Sequence, residues 1–259
     1  MDFGETIDAT LDLFKKNIRD FTITSVIVAG PALILSIILS VLNLATPEEN
    51  ENILVVIFMA ITFAMSLVIA VFYMNSLIKL SSDYYLGLKT TFKDALRFSL
   101  KKFWKMCFAL LAAAIALLLL MGLSVLAYFG VMAAGAGNIA AIIAAIVPMG
   151  FFTYYAFCFF LFPYIIVIED LGIIDAFRRS RDLFRSSRNA TLKVILIPYL
   201  INALTLVCVF IPFAGSFLVF LSYPLPIIAM TLVYYDIRIR YEGYDLMIQA
   251  EKLNSGIQQ

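Results

Sequence analysis

Two adjacent carboxylates, Glu169 and Asp170, are the best acid–base candidates in this sequence. Adjacent residues of a helix point about 100° apart, so the pair does not converge on one atom by itself. The chain holds no histidine, and its three cysteines, Cys107, Cys158 and Cys208, lie far apart in separate apolar runs. Histidine-based triads, zinc sites and a disulfide framework therefore have no raw material here. No catalytic residue, metal or cofactor is expected. Glu169 and Asp170 are expected instead to mark the end of a span and to pair with arginine.

The second constellation is cationic. Arg178, Arg181, Arg185 and Arg188 recur at helical spacing, as do Lys93, Arg97 and Lys101. Near a membrane such rows attract phosphate-bearing headgroups, each charge contributing about 1 kcal/mol. The plainer reading is topological anchoring, which needs no particular lipid. Asp236 and Arg240 stand four apart and can pair on a helix. Glu169 or Asp170 is expected within ~6 Å of Arg238 or Arg240, close enough for useful pairing.

A third group is polar but uncharged. Asn75, Tyr154 and Asn202 fall inside apolar runs. They can join helices by hydrogen bonds worth about 1 kcal/mol, or they can line a substrate path. Coupled carriers place ionisable residues in mid-membrane, and none of the expected spans has one at its centre.

The elements that position these residues are long and apolar. The chain is 63% apolar and 14% charged, with a mean hydropathy of +0.98, outside the range of soluble domains. An all-α membrane protein with six transmembrane helices is expected. The spans read as 21–45, 53–78, 106–134, 139–168, 190–213 and 217–235, each close to or above the ~20 residues a bilayer requires. Turns fall at 46–52, 134–138 and 214–216.

Three amphipathic interfacial helices precede the outward spans, at 3–19, 92–105 and 172–188. On the first, Phe3, Ile7, Leu11, Phe14, Ile18 and Phe21 share a face. On the second, Phe92, Leu96, Leu100 and Phe103 do, with Lys93, Arg97, Lys101 and Lys105 opposite. On the third, Ile173, Phe177, Ser180, Phe184 and Ser187 oppose the four arginines. Residues 80–91 read as a polar linker, and the chain after 235 as a polar tail, helical at first.

All 19 lysines and arginines lie on one side of this scheme. The opposite loops carry only Glu48, Glu49 and Glu51. The positive-inside rule then places both termini in the cytoplasm, and a prokaryotic inner membrane is the expected location. The opening residues are acidic and amphipathic, so no secretory leader is expected. Phe14, Leu100 and Phe184 recur about 85 residues apart in similar settings. One integral domain of three helix-plus-hairpin units is therefore expected, at 1–86, 87–171 and 172–250, with 251–259 a frayed tail. Any pseudo-symmetry axis would run along the membrane normal.

Several short stretches carry a family likeness. They are Pro163-Tyr164-Ile165-Ile166-Val167-Ile168-Glu169-Asp170, then Leu171-Gly172, then Asp175-Ala176-Phe177-Arg178-Arg179-Ser180. Leu232-Val233-Tyr234-Tyr235-Asp236-Ile237-Arg238 is another, as is Gly4-Glu5-Thr6-Ile7-Asp8 with Leu13-Phe14-Lys15-Lys16-Asn17. Together they resemble the glycerophosphoryl diester phosphodiesterase membrane-domain family and its uncharacterised six-span prokaryotic relatives. The likeness implies the six-span layout over the whole chain and a membrane module without an assigned activity. The phosphodiesterase domain fused to some family members uses histidine and metal-binding carboxylates, and nothing of it is carried over here.

The expected function is therefore non-enzymatic: an accessory or scaffold protein whose basic cytoplasmic face meets lipid headgroups or a membrane partner. Its expected partners are anionic membrane lipids, another membrane protein or a second copy of itself, and no nucleic acid. The alternative is a permease or flippase for an amphipathic or lipid-linked substrate.

Overall fold

The structure is a computed structural model that describes residues 3–45, 53–135, 137–186, 200–201, 203 and 221–244. Among these residues the chain forms eight long or short helices and no strand. They are α1 (Phe3–Lys16), α2 (Ile18–Ala45), α3 (Ile53–Tyr85), α4 (Phe92–Ala133), α5 (Gly137–Cys158), α6 (Phe162–Ile168), α7 (Ile173–Ser186) and α8 (Leu225–Glu242). Three stretches among them are long and apolar enough to cross a membrane: Ala60–Tyr85, Phe92–Ala133 and Gly137–Tyr155. The expected turns at 46–52 and 214–216, and nearly all of the expected span 190–213, lie outside the described residues.

Two compact units result. One joins Met1–Phe103 to Asn189–Gln259, and the other is Trp104–Arg188. In the first, α2 packs along α3, while α8 packs against both α1 and α3. Phe14, Phe21, Val28, Tyr73, Leu77, Leu80, Ala95, Ile228 and Leu232 form its core. Ile228 to Ile237 are buried without interruption, so α8 is enclosed on every side over almost three turns. A helix apolar all round belongs in such a place.

Several helix limits differ from those read in the sequence. The second span does not end at Lys79: α3 runs on to Tyr85 and buries Ser81, Ser82 and Asp83. The polarity of Ser-Ser-Asp suggests a linker, but each group finds a partner within the fold. Ser81 donates to the Leu77 carbonyl at 2.7 Å, and the Ser82 and Tyr235 hydroxyls share a bond of 2.6 Å. Asp83 accepts from Lys79 at 2.8 Å and from the Thr90 hydroxyl at 2.7 Å.

The segment 92–105 and the following span are one helix, α4, of 42 residues. Its start is held by the Asp94 side chain reaching back to Thr91. The Asp94 carboxylate accepts from both the Thr91 hydroxyl and the Thr91 backbone N–H, at 2.6 and 3.2 Å. The expected span 139–168 is broken instead, into α5 and α6. Pro163 lacks an N–H, and its ring crowds the carbonyl four residues earlier, so the helix stops and restarts around Phe159–Leu161. Six successive residues of α6, Phe162 to Val167, are buried. At the other end of the chain, α8 carries the last span past Tyr235 to Glu242 and closes on Gly243 in the left-handed conformation.

The apolar faces of the first two amphipathic helices are also rotated from expectation. On α1 the buried line is Thr6, Thr10 and Phe14, while Leu11 is exposed, as is Ile18 at the start of α2. The Thr10 hydroxyl donates to the Thr6 carbonyl at 2.7 Å, which lets these threonines go inside with their polar atoms satisfied. On α4 Ala95 and Ser99 are buried and Leu100 is exposed. The small residues allow close approach to α3, where Ser76 and Ser99 share a hydrogen bond of 2.7 Å.

The turn after α3 is held by two backbone bonds, from Gly87 to the Tyr84 carbonyl at 3.2 Å and from Leu88 to the Asp83 carbonyl at 2.8 Å. This is the Schellman pattern, and Gly87 supplies its left-handed residue with φ of 76°. A Cβ at Gly87 would meet no atom within 4 Å. Gly87→Ala should therefore destabilise by about 1 kcal/mol from backbone strain alone. The expected result is a lower melting temperature in detergent, and an unchanged one would show that this turn is not left-handed.

Candidate functional site

The stretch from α5 to α7 is built around an elbow. Glu169 ends α6, its N–H donating to the Ile165 carbonyl at 2.9 Å. Asp170 follows with φ of 55°, a left-handed conformation that costs a non-glycine residue about 1 kcal/mol. Lys105 holds it there, donating to the Asp170 carboxylate at 2.8 Å and to its carbonyl at 3.0 Å. Glu169 takes the Arg179 guanidinium at 3.3 Å. The two adjacent carboxylates thus turn to different cations, one on α4 and one on α7, because the left-handed turn at Asp170 leaves the helix that Glu169 caps.

Aromatic packing fixes α7 below that elbow. Phe177 meets Phe159 edge to face at 5.0 Å and Phe162 at 4.8 Å. Two turns further on, Phe184 meets Tyr154 of α5 at 6.2 Å in a T-shaped pair. Ala176, Ser180, Leu183 and Phe184 are buried. The opposite face carries Arg178, Arg181 and Arg185, all exposed. Arg178 and Arg185 make no ion pair among the described residues, and Arg181 reaches only its exposed neighbour Asp182 at 3.4 Å. Arg188 lies outside the described residues.

On the first turns of α4, Lys93, Arg97 and Lys101 are exposed. Two lysines of the same region lean on an aromatic ring: Lys79 and Lys102 stand 5.4 and 5.9 Å from the centre of Phe98, within cation–π range. Trp104 is 68% exposed beside Phe108, where an interfacial tryptophan would be wet at one edge.

The ionic residues of α8 pair within their own helix. Arg240 meets Asp236 at 3.0 Å and Arg238 meets Glu242 at 3.2 Å. The Arg238 guanidinium also lies 3.8 Å from the centre of the Tyr244 ring. Glu169 and Asp170 belong to the other compact unit, and their expected link to Arg238 or Arg240 is carried into the proposal below.

The three polar candidates fare differently. Asn202 is outside the described residues. Tyr154 is half exposed and packs on Phe184. Asn75 is completely buried, and neither atom of its amide has a hydrogen-bond partner among the described residues. Its neighbour Ser76 does bond across to Ser99. The helix-joining work foreseen for Asn75 is thus done one residue later.

A comparison with protein-family models, with curated proteins and with solved structures returns no match. No group of three histidine, cysteine or acidic side chains able to hold a metal ion occurs among the described residues.

Sequence reading missed the hydroxyl network around the end of α3. Tyr73 shares a hydrogen bond of 3.0 Å with Ser25, Tyr84 donates to Asp20, and Tyr235 bonds Ser82 and stacks on Tyr85 at 4.7 Å. One signal was available, since Lys79 and Asp83 stand four apart and predict both a pair and a helix running through them. Asn75 gives a direct test. Leaving a buried amide unpaired costs about 1–3 kcal/mol, so Asn75→Leu, which keeps the side-chain branching, should raise thermal stability in detergent. A loss of stability would mean that the amide is paired.

Proposed function

We propose that this chain is a six-span protein of a prokaryotic inner membrane, with both termini cytoplasmic and no catalytic role of its own. It acts as an accessory or scaffold protein whose basic cytoplasmic face engages anionic lipid headgroups or a membrane partner. The three 85-residue units, the membership of the resembled membrane-domain family, and the link from Glu169 or Asp170 to Arg238 or Arg240 are parts of the same proposal. Three sufficiently apolar helices and the one-sided placement of all lysines and arginines support it.

The observation that carries the reading is the exposed row Arg178, Arg181 and Arg185 on α7. Its cations face away from the aromatic anchor and leave their charge available to an anionic surface. Lys93, Arg97 and Lys101 on α4 add to the same kind of charge. Replacing Arg178, Arg181, Arg185 and Arg188 with glutamine should weaken binding to phosphatidylglycerol vesicles at least about tenfold, with the remaining binding less sensitive to salt. Undiminished binding by a variant of unchanged helix content would rule out the lipid role of this row.

The permease or flippase alternative draws on Asn75, a buried amide retained where an apolar residue would be more stable. It requires that the reconstituted protein move a fluorescent lipid analogue between leaflets and that Asn75→Leu abolish the movement. Equal rates with and without protein would end that reading.

A further inference from the structure

Helix α1 carries its charge in an order that its own contacts do not use. Asp8, Leu11 and Lys15 stand three and four residues apart, so they share one side of the helix, and all three are exposed. Glu5, Asp12 and Lys16 form the neighbouring line and are also exposed. The buried line of Thr6, Thr10 and Phe14 lies well round from both. Charge is therefore sorted by end, acids first and bases last. Asp8 and Asp12, four apart with like charge, repel each other within the helix. Asp12 and Lys16 are four apart with opposite charge, yet neither makes an ion pair among the described residues, nor does Asp8 or Lys15. The helix dipole favours acid in the first turn and base in the last. It accounts for Glu5 and Lys16, but not for Asp12 in the C-terminal half.

We propose that the exposed side of α1 is a self-association surface. A second copy of the chain lays its own α1 there antiparallel, with Asp8 of each copy against Lys15 of the other and the two Leu11 side chains between them. Asp8 and Lys15 lie about 5 Å either side of the middle of their stripe, so one reversal of direction matches both pairs at once. A twofold axis along the membrane normal gives that reversal to any helix lying along the membrane surface, while both copies keep the same orientation in the bilayer. The inference rests on the reading that α1 lies along the cytoplasmic surface, and is independent of the lipid role of α7. Anionic headgroups are the weaker occupant. Glu5, Asp8 and Asp12 outnumber Lys15 and Lys16 on α1, so a negative surface gains nothing from this helix.

The test counts subunits of the full-length protein in phosphatidylcholine vesicles by single-molecule photobleaching, at fixed ratios of protein to lipid. The wild type should be dimeric. Asp8→Lys alone, or Lys15→Asp alone, sets like charge against like at both contacts and should weaken the dimer about tenfold. Both positions are exposed, so the fold should survive either change. Asp8→Lys mixed with an equal amount of Lys15→Asp should dimerise again, and so should the double variant. Rescue between two different chains cannot come from repair of either fold. Replacing the four arginines of α7 with glutamine should leave the dimer intact, so a failed lipid role and a failed α1 contact give different results. A monomeric wild type, a dimer indifferent to both charge reversals, or a mixture no more dimeric than its two components would overturn the proposal.

Discussion

The unit that contains α1, α2, α3 and α8 depends on one constraint, from which the Asn75 amide alone departs among the described residues: polar groups taken out of water must find partners inside the fold. The last four turns of α3 meet that requirement for their neighbours. Tyr73 and Tyr84 reach α2, Ser76 reaches α4, and Ser82 reaches α8. Apolar packing alone discriminates poorly among helix rotations in an apolar surrounding. Four hydroxyl contacts at separate heights admit one rotation of each partner. Asp83 extends the same logic to the connection after α3, through Thr90.

The second unit meets a different constraint. Pro163 interrupts a run that would otherwise cross the bilayer as one oversized helix, and the short buried α6 follows. The change of direction is then completed by Asp170, in a backbone conformation that it holds with the help of Lys105. Charge and packing divide the labour on α7. Phe177 and Phe184 secure one side, and the arginines are left to the other.

Much of this was legible in the sequence where a pattern has one physical cause. The arginine row of α7, the Asp236–Arg240 pair and the long apolar helices follow from spacing and composition alone. The rest failed for identifiable reasons. A polarity-based boundary at Lys79 was wrong because Ser82 and Asp83 are matched by Tyr235 and Thr90, which are distant or non-helical in sequence. The buried threonine line of α1 was not legible because hydropathy ranks Leu11 above Thr6 and Thr10. Burial instead favours the side chains whose hydroxyls can be satisfied at short range. Asn75 could be singled out from sequence, but whether its amide is paired depends on neighbours that no local pattern names.

The packing of α1 on α8 has a consequence for how the chain is made. Helix α1 emerges early in synthesis, yet its partner α8 begins only at Leu225. Contacts so distant in sequence form slowly because a long intervening chain must first be ordered. Until α8 has been made, therefore, the threonine-lined side of α1 stands uncovered. The assembly intermediate of that unit presents a helix surface that a chaperone or a neighbouring nascent chain can occupy first.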